Sequence, residues 1–235
     1  MDKIKAVSYT HLKRHDKKKK KTVKQSQFDF SEVYRQLRTN IEYSQFEGDI
    51  QVVNLTSTNP AEGKSSVASN LATVSIAKYH NVLLMDCDLR KPVQHKIFNV
   101  SNKVGLSNLM KNFDSFDVNE DTYFQKFKDN TSDGKLYLLT SGMKVPNPLE
   151  LLSSEKFKHL IEKLRTRFDF IVIDCPPVDA VADAIPVRDV YKRQPYPPLL
   201  LGNGFILSFS NMAKTNFFCD PSNFLKSFSA SFVSK

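Results

Sequence analysis

The stretch Thr56-Ser57-Thr58-Asn59-Pro60-Ala61-Glu62-Gly63-Lys64-Ser65-Ser66 decides how the rest of the chain is interpreted. An apolar segment at residues 50–55 precedes it and is typical of a buried strand. Apolar residues then recur at helical spacing at Val67, Leu71 and Val74. A strand, a Gly-Lys-Ser loop and a helix in this order are the context of a phosphate-binding loop, because the unpaired N–H groups of the first helical turn point at an anion placed there.

The residue types of this loop predict how it would hold a nucleotide. Lys64 would reach the β- and γ-phosphates, and the Ser65 hydroxyl would ligate magnesium. Gly63 lets the backbone approach a phosphate oxygen with no Cβ in between. The loop departs from the usual spacing, since Thr58 stands where a glycine is expected six positions before the lysine. The predicted nucleotide-binding residues are Ala61, Glu62, Gly63, Lys64, Ser65 and Ser66.

Two further apolar segments, residues 83–88 and 170–174, end in carboxylates. The carboxyl ends of parallel strands form the ligand-binding edge of an α/β sheet, so we expect Asp86, Asp88 and Asp174 to lie beside the phosphate-binding loop. Three such features in this order favour a nucleotide site over three unrelated buried strands with polar ends. The predicted fold is α/β, a P-loop NTPase-type and mostly parallel sheet flanked by helices.

Charge is concentrated at the start of the chain. Residues 1–24 contain ten Lys and Arg against two Asp, which accounts for +8 of the total net charge of +9. The remainder is close to neutral, which argues against nucleic-acid binding by the domain. The block at residues 13–24 is expected to be disordered, either as a solvated tail or as a cytoplasmic arm near anionic lipid.

The cysteines suggest neither a metal site nor a disulfide framework. Cys87, Cys175 and Cys219 occur at unrelated spacings, so the expected role is that of small buried thiols. No run approaches the ~20 apolar residues of a membrane span, and the basic N-terminus lacks an apolar segment behind it. These features predict a cytosolic protein.

A helix is predicted from Ser31 to Phe46, with Ser31 as its N-cap and apolar residues every fourth position. Glu32, Arg35 and Arg38 recur every third residue and therefore share one flank of that helix. Composition alone indicates a solvated face with an i,i+3 ion pair. The alternative is an interface helix that offers an arginine to the nucleotide of a neighbouring subunit.

Downstream, residues 135–140 predict another strand, and Ser153 or Ser154 is a candidate cap for a helix. The buried face of that helix is predicted to contain Phe157, Leu160, Ile161 and Leu164. Residues 113–134 are polar and turn-rich, and we interpret them as surface helix and loop.

Together these motifs resemble the bacterial tyrosine kinases (BY-kinases) that govern capsule and exopolysaccharide synthesis. The likeness extends from about Phe30 to Val187. It consists of a Walker A loop at residues 57–65, a Walker A′ motif at 84–92, a Walker B motif at 171–177, a Glu-x-x-Arg-x-x-Arg motif at Glu32, Arg35 and Arg38, and a family stretch at 142–152.

The resemblance implies an ATP-dependent protein-tyrosine autokinase that uses magnesium. It implies Lys64, Asp86 and Asp88 as catalytic residues, with Asp86 a candidate acceptor of the tyrosine proton. It implies Ser65, Asp86, Asp88 and Asp174 around the metal, and a homo-oligomer formed through the Glu32/Arg35/Arg38 helix. Its implied partners are tyrosine substrates and a transmembrane activator or polysaccharide co-polymerase adaptor, which would hold the kinase at the inner face of the membrane.

The two ends of the chain do not fit this family. Residues 7–12 and 189–194 resemble halves of a translated adaptor sequence, and residues 195–235 contain four charged residues in 41. We therefore expect a basic tail at 1–24, of which 1–12 is foreign, a kinase domain at 25–188 and a non-native segment at 189–235. The truncation would remove the tyrosine cluster of the family and leave an incomplete sheet with an unpaired edge. The alternative for this segment is a hairpin around residues 202–204.

Two other functions compete with the kinase. Min- or Par-type positioning ATPases resemble this chain in fold, but they carry a second lysine five positions before the loop lysine, where Asn59 stands here. A truncated, non-catalytic nucleotide-binding module is the second alternative.

Overall fold

A computed structural model describes residues 30–43, 50–128 and 133–177, together with the backbone of residues 199–201 and 205–210. The basic segment 1–24 lies outside the described residues, as does the rest of the segment 189–235 that we expect to be foreign. Cys219 is also outside them.

The described residues form six α-helices, one 3-10 helix and seven strands. The α-helices are Phe30–Tyr43 (α1), Lys64–Ser75 (α2), Gln94–Ile97 (α3), Leu106–Lys111 (α4), Pro148–Ser153 (α5) and Glu155–Arg165 (α6), and the 3-10 helix is Phe113–Ser115. The strands are Val52–Ser57 (β1), Asn81–Asp86 (β2), Gln125–Lys128 (β3), Lys135–Leu139 (β4), Phe170–Asp174 (β5), Leu199–Leu201 (β6) and Phe205–Ser210 (β7).

The strands form one sheet in the order β3-β4-β2-β5-β1-β7-β6. Its four central strands, β4, β2, β5 and β1, are parallel, whereas β3, β7 and β6 are attached antiparallel. Asp86 of β2 pairs in register with Asp174 of β5, and Leu55 of β1 pairs with the same Asp174. This confirms the mostly parallel sheet, and it places the carboxyl ends of β1, β2 and β5 at a common edge.

Both faces of the sheet are covered, which explains why its central strands are almost continuously apolar. On one face, Leu37 of α1 and Leu71 of α2 pack against the sheet. On the other face, Leu109 of α4 and Leu160 of α6 form a second buried cluster. Burial of each such leucine contributes about 1.5–3 kcal/mol, so the central strands are held in place from both sides.

Two helix caps had been predicted from sequence, and one of them is wrong. Helix α1 begins at Phe30, so Ser31 already lies within its first turn and cannot be the N-cap. The helix ends at Tyr43, and residues 44–49 lie outside the described residues. Ser154 does cap α6, because its hydroxyl oxygen accepts a hydrogen bond from the Phe157 N–H at 3.2 Å.

The interpretation of residues 113–134 as surface helix and loop is wrong in part, because this segment contains the edge strand β3. Only every second β3 residue is partly buried, and so short a strand gives little periodic signal. Phe124, just before it, is buried. The guanidinium carbon of Arg167 lies 4.9–5.0 Å from the centroids of three rings, those of Phe124, Tyr137 and Phe168. This cation–π stack fixes the segment to the body of the domain.

The expected unpaired edge is not found beside β1. Strand β7 pairs antiparallel with β1 along its whole length, and β6 pairs with β7 on either side of residues 202–204. Among the described strands, β3 and β6 are therefore at the two edges of the sheet. That residues 189–235 are foreign stays a prediction.

Among the described residues, no helix combines the length and the apolar character needed to cross a bilayer.

Candidate nucleotide-binding site

The loop between β1 and α2 is shaped by its backbone. Gly63 has φ +91° and Ala61 has φ +64°, so two residues of the loop adopt left-handed conformations. A Cβ built on Gly63 would meet no atom within 4 Å. Glycine is therefore favoured here by the backbone angle within the protein itself, in addition to the approach to phosphate predicted from sequence. The Gly63 carbonyl accepts from the Val67 N–H at 3.0 Å, which starts α2 directly behind the loop.

Lys64 is the centre of the site. Its Nζ lies 3.1 Å from Asp88 Oδ2, 3.4 Å from Asp174 Oδ1 and 3.2 Å from Ser65 Oγ. The loop lysine, the loop serine and two predicted carboxylates thus converge from three separate segments. Burial by itself would lower the pKa of Lys64, but the charges of Asp174 and Asp88 outweigh it and raise this pKa above its usual value.

Asp86 is fully buried and is held by the backbone that follows it. Its carboxylate accepts hydrogen bonds from the N–H groups of Asp88, Val93 and Gln94 at 3.2, 3.2 and 3.1 Å. Burial, reinforced by the neighbouring charge of Asp174, raises the pKa of Asp86 to about 8. With such a pKa the Asp86 carboxyl holds a proton at neutral pH in the nucleotide-free protein, and the role of Asp86 as a base stays a prediction.

Asp174 is also fully buried, and burial raises its pKa. The Lys64 charge and hydrogen bonds from Ser65 and Gln94 oppose this rise by stabilising the ionised form. Asp174 therefore joins Lys64, Ser65 and Gln94 at one carboxylate.

Sequence reasoning missed Gln94. This residue opens α3 and is completely buried. Its Nε2 donates to Asp174 Oδ2 at 2.8 Å and to the Ser65 carbonyl at 2.9 Å. No spacing rule marks a single glutamine eight positions after a strand-terminal aspartate, so only the folded structure identifies it.

The donor set suits magnesium. The Ser65 hydroxyl and the carboxylates of Asp88 and Asp174 are hard oxygen donors grouped around one point, the Lys64 ammonium. Magnesium is usually bound through one or two carboxylates and completes its shell with phosphate oxygens and water. Within the described part of the chain, no group of three His, Cys, Asp or Glu side chains is arranged to hold a metal ion by itself.

The Glu-x-x-Arg-x-x-Arg motif lies on α1, and its residues differ in exposure and in the contacts that they make. Glu32 and Arg35 form the expected ion pair at 3.0 Å, with side chains 58% and 47% exposed. Arg38 instead packs within the chain, where its Nη1 donates to the Val74 carbonyl at 2.8 Å and its Nε lies 3.4 Å from Glu42.

Cys87 and Cys175 are buried behind the strand-terminal carboxylates, as predicted. Desolvation raises the pKa of both thiols, which keeps them protonated and poorly reactive.

The fold and this site define a P-loop nucleotide-binding α/β domain. Residues 50–185 match the model of the AAA domain family. The chain is 41% identical over 154 residues to the tyrosine-protein kinase YwqD of Bacillus subtilis, and 33% identical over 153 residues to the tyrosine-protein kinase etk of Escherichia coli. The chain belongs to the bacterial tyrosine kinase family.

Solved structures agree with this assignment. The kinase domain of VpsO superposes with a TM-score of 0.56 at 37% identity, over 68% of this chain and 76% of that one. The kinase domain of Escherichia coli ETK superposes with a TM-score of 0.59 at 32% identity, over 68% of this chain and 60% of that one. The YwqD match covers 66% of this chain and 62% of YwqD, and the etk match covers 65% of this chain and 20% of etk.

Proposed function

We propose that this chain binds ATP with magnesium and transfers the γ-phosphoryl group to tyrosine hydroxyls, as a protein-tyrosine autokinase that regulates capsular or exopolysaccharide biosynthesis. One observation carries the proposal. The Lys64 ammonium lies between Asp88 and Asp174, so a cation and two carboxylates from three motifs meet at the end of the phosphate-binding loop.

Phosphoryl transfer requires mainly positioning and charge neutralisation from the protein. The backbone N–H groups of residues 61–66 would hold the β-phosphate, and Lys64 would stabilise the charge that develops between the β- and γ-phosphates. Bound magnesium supplies further neutralisation of that charge. The Ser65 hydroxyl and Asp88 would ligate the ion, Asp174 would orient a water in its shell, and Asp86 would accept the tyrosine proton at its carboxylate.

Incubation with γ-labelled ATP and magnesium tests the proposal, with a tyrosine-rich peptide supplied in trans. The kinase predicts label on tyrosine. Label released only as free phosphate would identify a hydrolysing switch of the Min or Par type, and transfer to neither would identify a non-catalytic module. Lys64→Met should abolish transfer, whereas the exposed-lysine control Lys111→Met should leave it unchanged.

We propose further that the chain self-associates through α1, with Glu32, Arg35 and Arg38 at or behind the contact. The exposure of the Glu32–Arg35 pair supports this, because both side chains are accessible to a second copy. A transmembrane activator or co-polymerase would then hold the assembly at the inner face of the membrane. Sedimentation of Arg35→Ala tests the contact, since unchanged association would overturn it.

We propose that native kinase sequence ends near Arg188. The AAA domain match ends at residue 185, which supports this boundary. Genomic DNA read across codons 188–195 tests it, and one uninterrupted frame in the source genome would contradict it.

A further inference from the structure

We propose that Gln94 is a positioning residue that fixes the orientation of the Asp174 carboxylate, and thereby the strength of magnesium binding at this site. The proposal rests on the proposed function, because it assumes that Asp174 acts toward a magnesium–nucleotide complex. Gln94 belongs to none of the sequence motifs of the site, yet it is in contact with three of them.

The hydrogen bonds of Gln94 leave no freedom in its side chain. Nε2 donates to Asp174 Oδ2 at 2.8 Å and to the Ser65 carbonyl at 2.9 Å. Oε1 lies 3.3 Å from Ser69 Oγ, whose single proton is shared with the Ser65 carbonyl. A carboxylate oxygen and a carbonyl oxygen accept but do not donate, so the opposite orientation of the amide would place Oε1 against two acceptors. The assignment of the amide is therefore fixed by its partners.

The backbone of Gln94 is held just as firmly. Its N–H donates to Asp86 Oδ2 at 3.1 Å, so one strand-terminal carboxylate fixes the start of α3 while the side chain of the same residue contacts another. Gln94 is completely buried, as are Asp86 and Asp174. Both donations from Nε2 go to buried or partly buried acceptors, so displacement of the side chain would leave the amide and Asp174 without these partners.

This arrangement gives the two oxygens of Asp174 different roles. Oδ2 is occupied by the Gln94 amide, and Oδ1 faces the Lys64 ammonium at 3.4 Å. Without the amide, the carboxylate would be free to rotate about its χ2 angle and both oxygens would compete for the same cation. Gln94 thus holds Oδ1 toward the Lys64 ammonium.

An amide suits this task better than a charged group. A second lysine would neutralise Asp174 and weaken its attraction for a metal ion, whereas a neutral donor orients the carboxylate and leaves its charge intact. The additional bond to the Ser65 carbonyl joins Asp174 to the residue that supplies the loop hydroxyl. One side chain therefore contacts both Asp174 and Ser65, the two residues proposed to act toward magnesium.

Calorimetric titration of ADP into the full chain, with magnesium and with EDTA, tests the proposal. In Gln94→Met we expect the tightening of ADP binding by magnesium to fall at least about tenfold, the range found for groups that orient metal ligands. ADP affinity in EDTA should stay within about twofold of the wild type, because the loop N–H groups are unchanged.

Gln51→Met is the matched control. Gln51 also makes three side-chain hydrogen bonds, donating to the Arg165 and Phe168 carbonyls and accepting from the Arg165 guanidinium, but it lies at the opposite end of the sheet. It should keep the full magnesium effect. If Gln94→Met unfolds, Gln94→Asn provides the same comparison, since it keeps an amide but is one methylene too short to reach both acceptors.

A full magnesium effect in the folded Gln94 variants would overturn the proposal. An equal loss of ADP affinity with magnesium and with EDTA would also overturn it, because that result indicates a packing role. A different result would contradict the proposed function alone: wild-type protein that binds magnesium and ADP but transfers no phosphate from ATP to tyrosine. In that case the magnesium effect still decides the role of Gln94.

Discussion

The carboxyl edge of the sheet and helix α1 both carry charged residues of the sequence motifs. These side chains are buried at the sheet edge, whereas two of those on α1 are exposed. At the edge, Lys64 is 9% exposed and Asp174 is 0% exposed. On α1, Arg35 and Glu32 are 47% and 58% exposed. Burial of charge is expensive, so such a cluster persists where chemistry requires it, whereas an exposed pair contributes little to the fold.

Arg38 lies between these extremes, although it belongs to the same motif as Arg35. Its bond to the Val74 carbonyl satisfies an otherwise unpaired group in the last turn of α2 and places a positive charge at that helix end. The motif therefore combines an inward-facing arginine that fixes α1 to the phosphate-binding helix with an outward-facing ion pair.

The largest expected effect on stability is that of Lys64→Met. Removal of the ammonium leaves Asp88 and Asp174 without their cation, so the free energy of unfolding without nucleotide should fall by about 3–5 kcal/mol at pH 8. Urea denaturation measures this change. The loss should be smaller at pH 5, because burial raises the pKa of Asp174 and protonation of this group removes part of the uncompensated charge. An equal loss at both pH values would contradict this account of the buried cluster.

Arg38→Ala should have the next largest effect. It removes a charged hydrogen bond to Val74 and an ion pair with Glu42, so we expect a destabilisation of about 1–2 kcal/mol in urea denaturation. Wild-type stability in this variant would show that Arg38 is not the link between α1 and α2.

The pH dependence of stability tests the environment of Asp86. The pKa of Asp86 is about 8 in the folded protein, compared with an ordinary value of 3.8. Between these two pH values the folded state therefore holds a proton that the unfolded state has released. This contribution to the free energy of unfolding is fully present at pH values below the unfolded-state pKa and is lost as the pH rises through 8. Between pH 6 and pH 7 the nucleotide-free wild type should lose about 1 kcal/mol more than Asp86→Asn. Parallel curves for the two proteins would show that Asp86 is ionised throughout.

Arg35→Ala should have the smallest effect on the fold. An exposed i,i+3 pair is worth about 0.2–0.5 kcal/mol, so the free energy of unfolding should hardly change. Self-association measured by sedimentation should nevertheless weaken. A destabilisation as large as that of Arg38→Ala would remove the distinction between the two arginines.

The fold was largely predictable from the sequence, and the reasons are local. Strands β1, β2 and β5 are apolar runs that end at polar residues, and Ser154 has the sequence signal of a cap. The edge strand β3 was missed, because a four-residue strand exposed on one side has almost no periodic pattern. The pairing of β7 with β1 was missed as well, since pairing between distant segments leaves no mark in local sequence.

The site shows the same limit. The motifs identified Lys64, Asp88 and Asp174, which the structure brings into contact. They gave no indication of Gln94, whose importance depends on a backbone turn that returns it to Asp174. The motif predicted the same role for Arg35 and Arg38, and the structure distinguishes them because Arg38 packs against α2.

The central claim is that the Lys64 cluster is a magnesium–triphosphate site, and calorimetric titration of ATP into the folded wild-type chain tests it most directly. We predict saturable ATP binding that tightens when magnesium replaces EDTA and that is lost in Lys64→Met but kept in Lys111→Met. Heat signals that show no magnesium-dependent binding of ATP in the folded wild type would contradict the claim.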